Sequence, residues 1–218
     1  MIHVDRRPSP PSLQQNGEEW NRQYCEALRE WISNGKTSGK KPKATKYKQD
    51  DVRDELHKCF NDKCAYCETL TKITEAYAEI EHYKPKSVYC ESSHEWNNLL
   101  LSCGACNRKK SDNFPTDHKI LNPFDDEHPE EHFIYVKNEE NGWIELQPID
   151  MRGANTVTCC DLNRIQLMRN RFTILTLVEL MKLAIDDGDT SQPWPLRYQQ
   201  AMEKGQYIGM LKRMGLRE

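Results

Sequence analysis

The sequence predicts an α+β fold in which helical N- and C-terminal regions flank a small, cysteine-stapled centre. Three observations carry this prediction. Two C-x-x-C units, Cys64/Cys67 and Cys103/Cys106, bracket the centre. Apolar residues recur at helical spacing on either side of it, as Trp20, Tyr24, Leu28 and Trp31 before and Ile165, Met168, Phe172, Leu175, Leu180 and Leu183 after. Between the centre and the second helical region, two apolar runs at 133–136 and 143–146 flank Asn141-Gly142, a hairpin signal.

Taken in order, residues 18–33 form the first expected helix. Residues 34–48 carry Lys36, Lys40, Lys41, Lys43, Lys46 and Lys48 with no acid among them, and Gly35, Gly39 and Pro42 break regular structure there. This is a basic loop, either a solvated linker or a phosphate-contacting arm. Gly35-Lys36-Thr37 is no P-loop, because Glu30 stands where the earlier glycine belongs and no apolar strand precedes it. A second helix is expected over 50–60, with Val52, Leu56 and Phe60 on one face. After the hairpin, 161–184 reads as one long helix and 195–212 as a final one. The expected organisation is a helical region with its basic loop at 1–61, the core at 62–118, and the hairpin plus helices at 119–218.

At 218 residues the chain can bury a real core, but 37% hydrophobic residues is a low content. Extended arms, or surfaces covered by a partner, are therefore expected. A net charge of -3 does not advertise nucleic-acid binding, so any such contact must come from local clusters of Lys and Arg. No apolar run approaches the roughly 20 residues needed to span a bilayer. Residues 1–15 lack the apolar core of a signal peptide. A cytoplasmic protein with no membrane contact is expected.

A reducing compartment disfavours structural disulfides, so closely spaced cysteine pairs point to metal. A two-residue gap lets both thiolates of a knuckle reach one ion, and two knuckles complete a tetrahedron around Zn²⁺. Cys64, Cys67, Cys103 and Cys106 are thus the expected ligands of a structural zinc, closed and without an open position. Cys25, Cys59, Cys90, Cys159 and Cys160 lack such spacing and are expected as small buried hydrophobes. Residues 68–102 lie between the knuckles, a 35-residue insert (102 − 68 + 1) that is longer than a simple zinc ribbon carries.

The insert holds Glu79-Ile80-Glu81-His82-Tyr83-Lys84-Pro85-Lys86 and then Trp96-Asn97-Asn98-Leu99, running into the second knuckle and Asn107-Arg108-Lys109-Lys110. This order resembles the HNH endonuclease family: a carboxylate-His pair before proline, an Asn-Leu after a loop, then C-x-x-C-Asn and a lysine. Tyr66-Cys67-Glu68, Leu121-Asn122-Pro123 and Leu162-Asn163 extend the resemblance to the PtuB nuclease subunits of Septu-type antiphage systems, relatives of which accompany some retrons. The resemblance implies a zinc-stapled ββα-metal core, phosphodiester hydrolysis, an ATPase subunit as partner, and a nucleic-acid substrate, with DNA expected ahead of RNA.

It also implies roles. His82 is the general base, Glu81 and Asn107 hold a catalytic Mg²⁺ or Mn²⁺, Asn98 braces the loop that orients His82, and Lys110 contacts phosphate. Lys109, Lys86, Lys40 and Lys41 are the further expected nucleic-acid contacts. The chemistry agrees independently: hydrolysis needs a base to activate water and a cation to stabilise developing charge, and hard oxygen ligands suit Mg²⁺ or Mn²⁺. Two departures stand out. Glu81 replaces the family's usual Asp, and neighbours on a regular strand face opposite ways, so Glu81 and His82 share a site only if the strand is distorted there. Glu79 is a rival ligand. His94 is expected at the surface, and no ligand spacing supports His118, His128 or His132. The alternative class is a zinc-stapled binding module or adaptor without catalysis, which has no need of a base beside hard metal ligands.

Overall fold

The computed structural model describes residues 1–37, 39–71 and 78–216. Helix α1 spans Pro11–Ser33, starting well before the apolar pattern suggests. The physical reason is its proline: a fixed φ and a missing N–H suit the first helical turn. Its buried face carries Leu13, Gly17, Asn21, Tyr24, Cys25 and Leu28. Helix α2, Asp50–Phe60, falls where expected, with Asp50 and Asp51 in its first turn facing the positive end of the helix dipole. It ends at Asn61 in the left-handed region, and Val52, Leu56, Cys59 and Phe60 turn inward.

Strands β1 (Ala78–His82) and β2 (Leu99–Cys103) pair antiparallel, with Glu79 opposite Ser102, Glu81 opposite Leu100 and His82 opposite Leu99. Every residue of β2 is buried, because both of its faces are covered. Helix α3, Gly104–Lys110, follows without a loop. Cys103 caps it, its sulfur accepting from the Cys106 N–H, so one knuckle both turns the chain into the helix and presents two thiols.

The second hairpin pairs β3 (Phe133–Lys137) with β4 (Ile144–Pro148), Lys137 opposite Ile144. Its loop is longer than a two-residue turn; Gly142 supplies the positive φ that the return requires. Helix α4, Met151–Cys160, is capped by the Asp150 carboxylate accepting from Gly153 N. Asp161, expected to open the long helix, instead closes α4 in the left-handed conformation, and α5 spans Ile165–Asp186. The expected final helix is two, α6 (Trp194–Lys204) and α7 (Ile208–Arg213). Gly205 leaves the helix into extended backbone, and a Cβ there would collide with the Ala201 carbonyl oxygen.

One apolar cluster runs through the described residues from Leu13 and Leu56 through Leu99–Leu101 to Phe133, Leu175 and Met210. The central strands therefore sit inside a core to which both terminal regions contribute. Helix α5 buries Leu167, Arg171, Leu175 and Val178 on one stripe and leaves Leu177, Leu180 and Leu183 exposed on another. Among the described residues no helix is long and apolar enough to cross a membrane.

Two expectations are corrected here. Cys25 and Cys90 are bonded to each other, because α1 packs along the turn at Cys90–Ser92 and brings the two sulfurs together. His94 is buried, not on the surface, since the same helix covers it.

Candidate active site and metal centre

The four thiols of Cys64, Cys67, Cys103 and Cys106 lie within 4.8 Å of one another and are all buried. The Cys67 and Cys103 sulfurs are 3.8 Å apart, the edge of a tetrahedron whose metal–sulfur bonds are about 2.3 Å, as for zinc. The donor set and its size thus fit Zn²⁺. Arg164, at the start of α5, reaches over this cluster: one guanidinium nitrogen is 3.5 Å from Cys106 Sγ, the other 3.7 Å from both Cys67 and Cys103 Sγ. A Cys₄ zinc centre carries excess negative charge, which a guanidinium donating to three sulfurs offsets. Sequence reasoning missed Arg164; its place directly after Leu162-Asn163 was the available signal.

His82 closes β1, and its ring is buried. Its Nε2 donates to the Ser93 carbonyl at 2.9 Å, which leaves the lone pair on Nδ1. Burial, with Lys86 adding to it, pushes the His82 pKa down to about 3, so the ring is neutral around pH 7. Tyr47 packs edge-on against the ring, centroids 4.4 Å apart. Tyr47 was also missed, although it is the one aromatic residue among the lysines of the basic stretch.

Asn98 is buried, and its side chain bonds across the loop after β1. Its amide nitrogen donates to the carbonyls of Lys84 at 3.0 Å and Ser92 at 2.9 Å, and its oxygen accepts from Lys84 N at 2.7 Å. The loop that carries Ser93 is thereby tied at both ends.

Glu79 and Glu81 share one face of β1, two residues apart, and both meet α3. Asn107 donates its side-chain N–H to Glu79. Glu81 Oε1 lies 2.7 Å from Lys110 Nζ, a buried ion pair. Burial raises the Glu81 pKa, with Lys110 acting against it. Although strand alternation separates Glu81 from His82, the strand ends there and both line one cleft. That cleft, about 230 Å³, is lined also by Pro85, Lys86, Asn107 and Arg108. A neighbouring cleft of about 330 Å³ shares Glu81, Lys86 and Asn107 and adds Tyr47, Lys48 and Arg53. The carboxylates of Glu79 and Glu81 and the Asn107 amide oxygen are hard donors beside these clefts, and the chemistry of that donor set fits a Mg²⁺ or Mn²⁺ there.

Lys110, expected on phosphate, is fully buried, its ammonium donating to the His82 carbonyl at 2.9 Å as well as meeting Glu81. Lys109 is exposed; Lys86 is half-buried over the Tyr47 ring and lines both clefts. Lys40 and Lys41 are exposed and line neither cleft, and Ser38 of the basic stretch lies outside the described residues.

Residues 64–113 match the HNH endonuclease family. The HNH match begins at the first zinc-knuckle cysteine and ends shortly after Lys110, so it contains both knuckles, His82 and α3. The chain is also similar to Septu protein PtuB of Bacillus mycoides (strain KBAB4), 32% identical over 184 residues, covering 71% of this chain and 61% of that protein. Septu protein PtuB of Bacillus thuringiensis is 30% identical over 193 residues, covering 84% of this chain and 65% of that one. The chain therefore spans somewhat less than two thirds of either relative's length. Septu protein PtuA of the same Bacillus mycoides strain is 27% identical over 146 residues, 53% of this chain and 20% of its own length. The Leu-Asn motifs at 121–122 and 162–163 fix the chain through side-chain hydrogen bonds. Asn122 binds the Asp125 carboxylate, and Asn163 accepts from Leu146 N and donates to Leu146 O, fixing β4 beside the start of α5.

Proposed function

We propose that this chain is an HNH-type endonuclease that hydrolyses phosphodiester bonds of nucleic acid, DNA ahead of RNA, with one catalytic divalent ion. The single observation that carries the proposal is His82. Its Nε2 is committed to a backbone carbonyl, which leaves Nδ1 to accept a proton beside Glu81 and Asn107 in one cleft. β1, β2 and α3 serve as the ββα-metal core, stapled by zinc on Cys64, Cys67, Cys103 and Cys106.

In this mechanism His82 Nδ1 takes a proton from the attacking water. The Ser93 carbonyl holds the ring in the required tautomer and stabilises the imidazolium that forms. Glu81 and Asn107 would hold the Mg²⁺ or Mn²⁺, which when bound stabilises charge on the phosphate and the leaving oxygen. Lys48, Lys86, Arg53 and Arg108, on the rims of the two clefts, place positive charge where a phosphate backbone would lie.

The similarity to proteins named Septu protein PtuB, together with the motif order, supports a place as effector subunit of an antiphage defence complex with an ATPase subunit as partner; the compartment proposed is the cytoplasm. The exposed Leu177, Leu180 and Leu183 stripe on α5 supports a covered surface there. Co-expression with a Septu-type ATPase subunit and size-exclusion chromatography test the association; separate elution would remove the partner and leave the nuclease.

The nuclease itself is tested by incubating plasmid DNA and RNA with purified protein, with Mn²⁺ or EDTA. H82A should lose about 10² to 10⁴-fold in rate while keeping zinc and fold. Binding without cleavage by the wild type would select the non-catalytic module instead.

A further inference from the structure

With His82 as the general base proposed above, we infer that Asn21 of α1 is a positioning residue for the reaction, acting on His82 through a single peptide group. The Ser93 carbonyl, which accepts from His82 Nε2, lies in a turn and not in the β1–β2 ladder. Its orientation must be fixed by something else. The Ser93 C=O and the His94 N–H belong to one planar trans peptide, in which the two groups point in opposite directions. Asn21 Oδ1 accepts from that His94 N–H at 2.7 Å. The sequence of contacts is therefore Asn21 Oδ1 to peptide to His82 Nε2, with a rigid plane in the middle. Rotating that plane away from Asn21 also swings the carbonyl away from the imidazole. Hydrogen bonds in such a chain polarise one another, so the Asn21 contact strengthens the carbonyl as an acceptor.

Asn21 is held for this task. It is buried, and its Oδ1 also accepts from Ser93 Oγ at 3.1 Å, while Ser93 is itself fully buried. Gly17 and Cys25 lie one turn to either side of it on the same helix face. At Gly17 an added Cβ would sit 3.1 Å from the His94 carbonyl oxygen, so the absence of a side chain lets α1 approach the turn closely. Cys25 is bonded to Cys90, three residues before Ser93. The stripe Gly17, Asn21, Cys25 thus grips residues 90–94 by close approach, by hydrogen bonds and by a covalent link. Asn98 holds the same segment from the other side through Ser92. Asn21 lies 61 residues before His82 (82 − 21) and outside the HNH match, so a helix from the N-terminal region completes the site.

The test uses the full chain with supercoiled plasmid and Mn²⁺, and compares wild type, N21L, N21D, H82A and N21L/H82A. Zinc content and Tm are measured alongside kcat and KM. N21L should lower kcat by up to about 100-fold, the scale of a misplaced catalytic group, with KM and zinc unchanged. N21D, which keeps an acceptor oxygen at the same reach, should stay within a few-fold of wild type. N21L/H82A should be no slower than H82A. The imidazole ¹⁵N shifts of His82 should report the Nε2–H tautomer in wild type and N21D, and a mixture of tautomers in N21L. If N21L unfolds the protein, N21A is read in its place by the same shifts. A wild-type kcat and a wild-type tautomer in the Asn21 truncation, with H82A inactive, would overturn the inference and leave the nuclease standing. An H82A protein as active as wild type would instead overturn the base assignment, and the ¹⁵N shifts would still report whether Asn21 sets the ring.

Discussion

Lys110 Nζ lies 2.7 Å from Glu81 Oε1 and 2.9 Å from the His82 carbonyl, with the lysine fully buried. A side chain at the end of α3 thereby ties together the two residues on which the proposed chemistry depends. Breaking a buried pair leaves an uncompensated charge and costs about 3–5 kcal/mol. K110M should lower Tm sharply, and adding E81Q should recover part of the drop. By contrast K109A, at an exposed position, should leave Tm unchanged and weaken nucleic-acid binding. Equal stability of K110M and K109A would mean that the ion pair contributes nothing.

Zinc should be present at about one ion per chain, as one Cys₄ site requires. C64S or C106S should lose the metal and unfold the site, because structural zinc contributes folding free energy directly. R164A should hold zinc about 10- to 100-fold more weakly in chelator competition, since the guanidinium donates to three of the four sulfurs. Soluble, folded wild-type protein without zinc would refute the zinc centre.

Glu81 and Glu79 compete for the catalytic ion, and their contacts separate them. Glu79 accepts from Asn107 and lines only the second cleft, whereas Glu81 is paired with Lys110 and lines both clefts. E81A and N107A should both raise the Mn²⁺ concentration needed for half-maximal cleavage, and Mn²⁺ should partly rescue where Mg²⁺ fails. A harmless E81A beside a damaging E79A would move the ligand to Glu79.

Lys86 and the lysines of the basic stretch should divide by position. K48A and K86A, at the cleft rims, should each flatten the salt dependence of duplex binding, by about 0.9 in log–log slope for each phosphate no longer neutralised. K40A/K41A removes charge that lines neither cleft and should change the slope less. An unchanged slope in K48A and K40A/K41A would make the whole stretch a solvated linker.

The sequence by itself determined the parts whose chemistry is local. Cysteine spacing marked all four clustered thiols, the Glu-His-Pro and C-x-x-C-Asn order marked the residues that line one cleft, and apolar periodicity placed α2 and the long helix α5. Helix ends were less legible, because Pro11, Asp161 and Gly205 act through backbone conformation and not through the apolar pattern. Only the tertiary structure decided what depends on distant segments. It buried Lys110 and His94, joined Cys25 to Cys90, laid Arg164 across the thiols and set Tyr47 against His82. It also let Glu81 and His82 share a cleft, since strand alternation ceases to separate side chains where the strand ends. Periodicity and spacing report a residue's own segment; a hydrogen bond between Asn21 and His94 exists only because packing brings α1 against the turn.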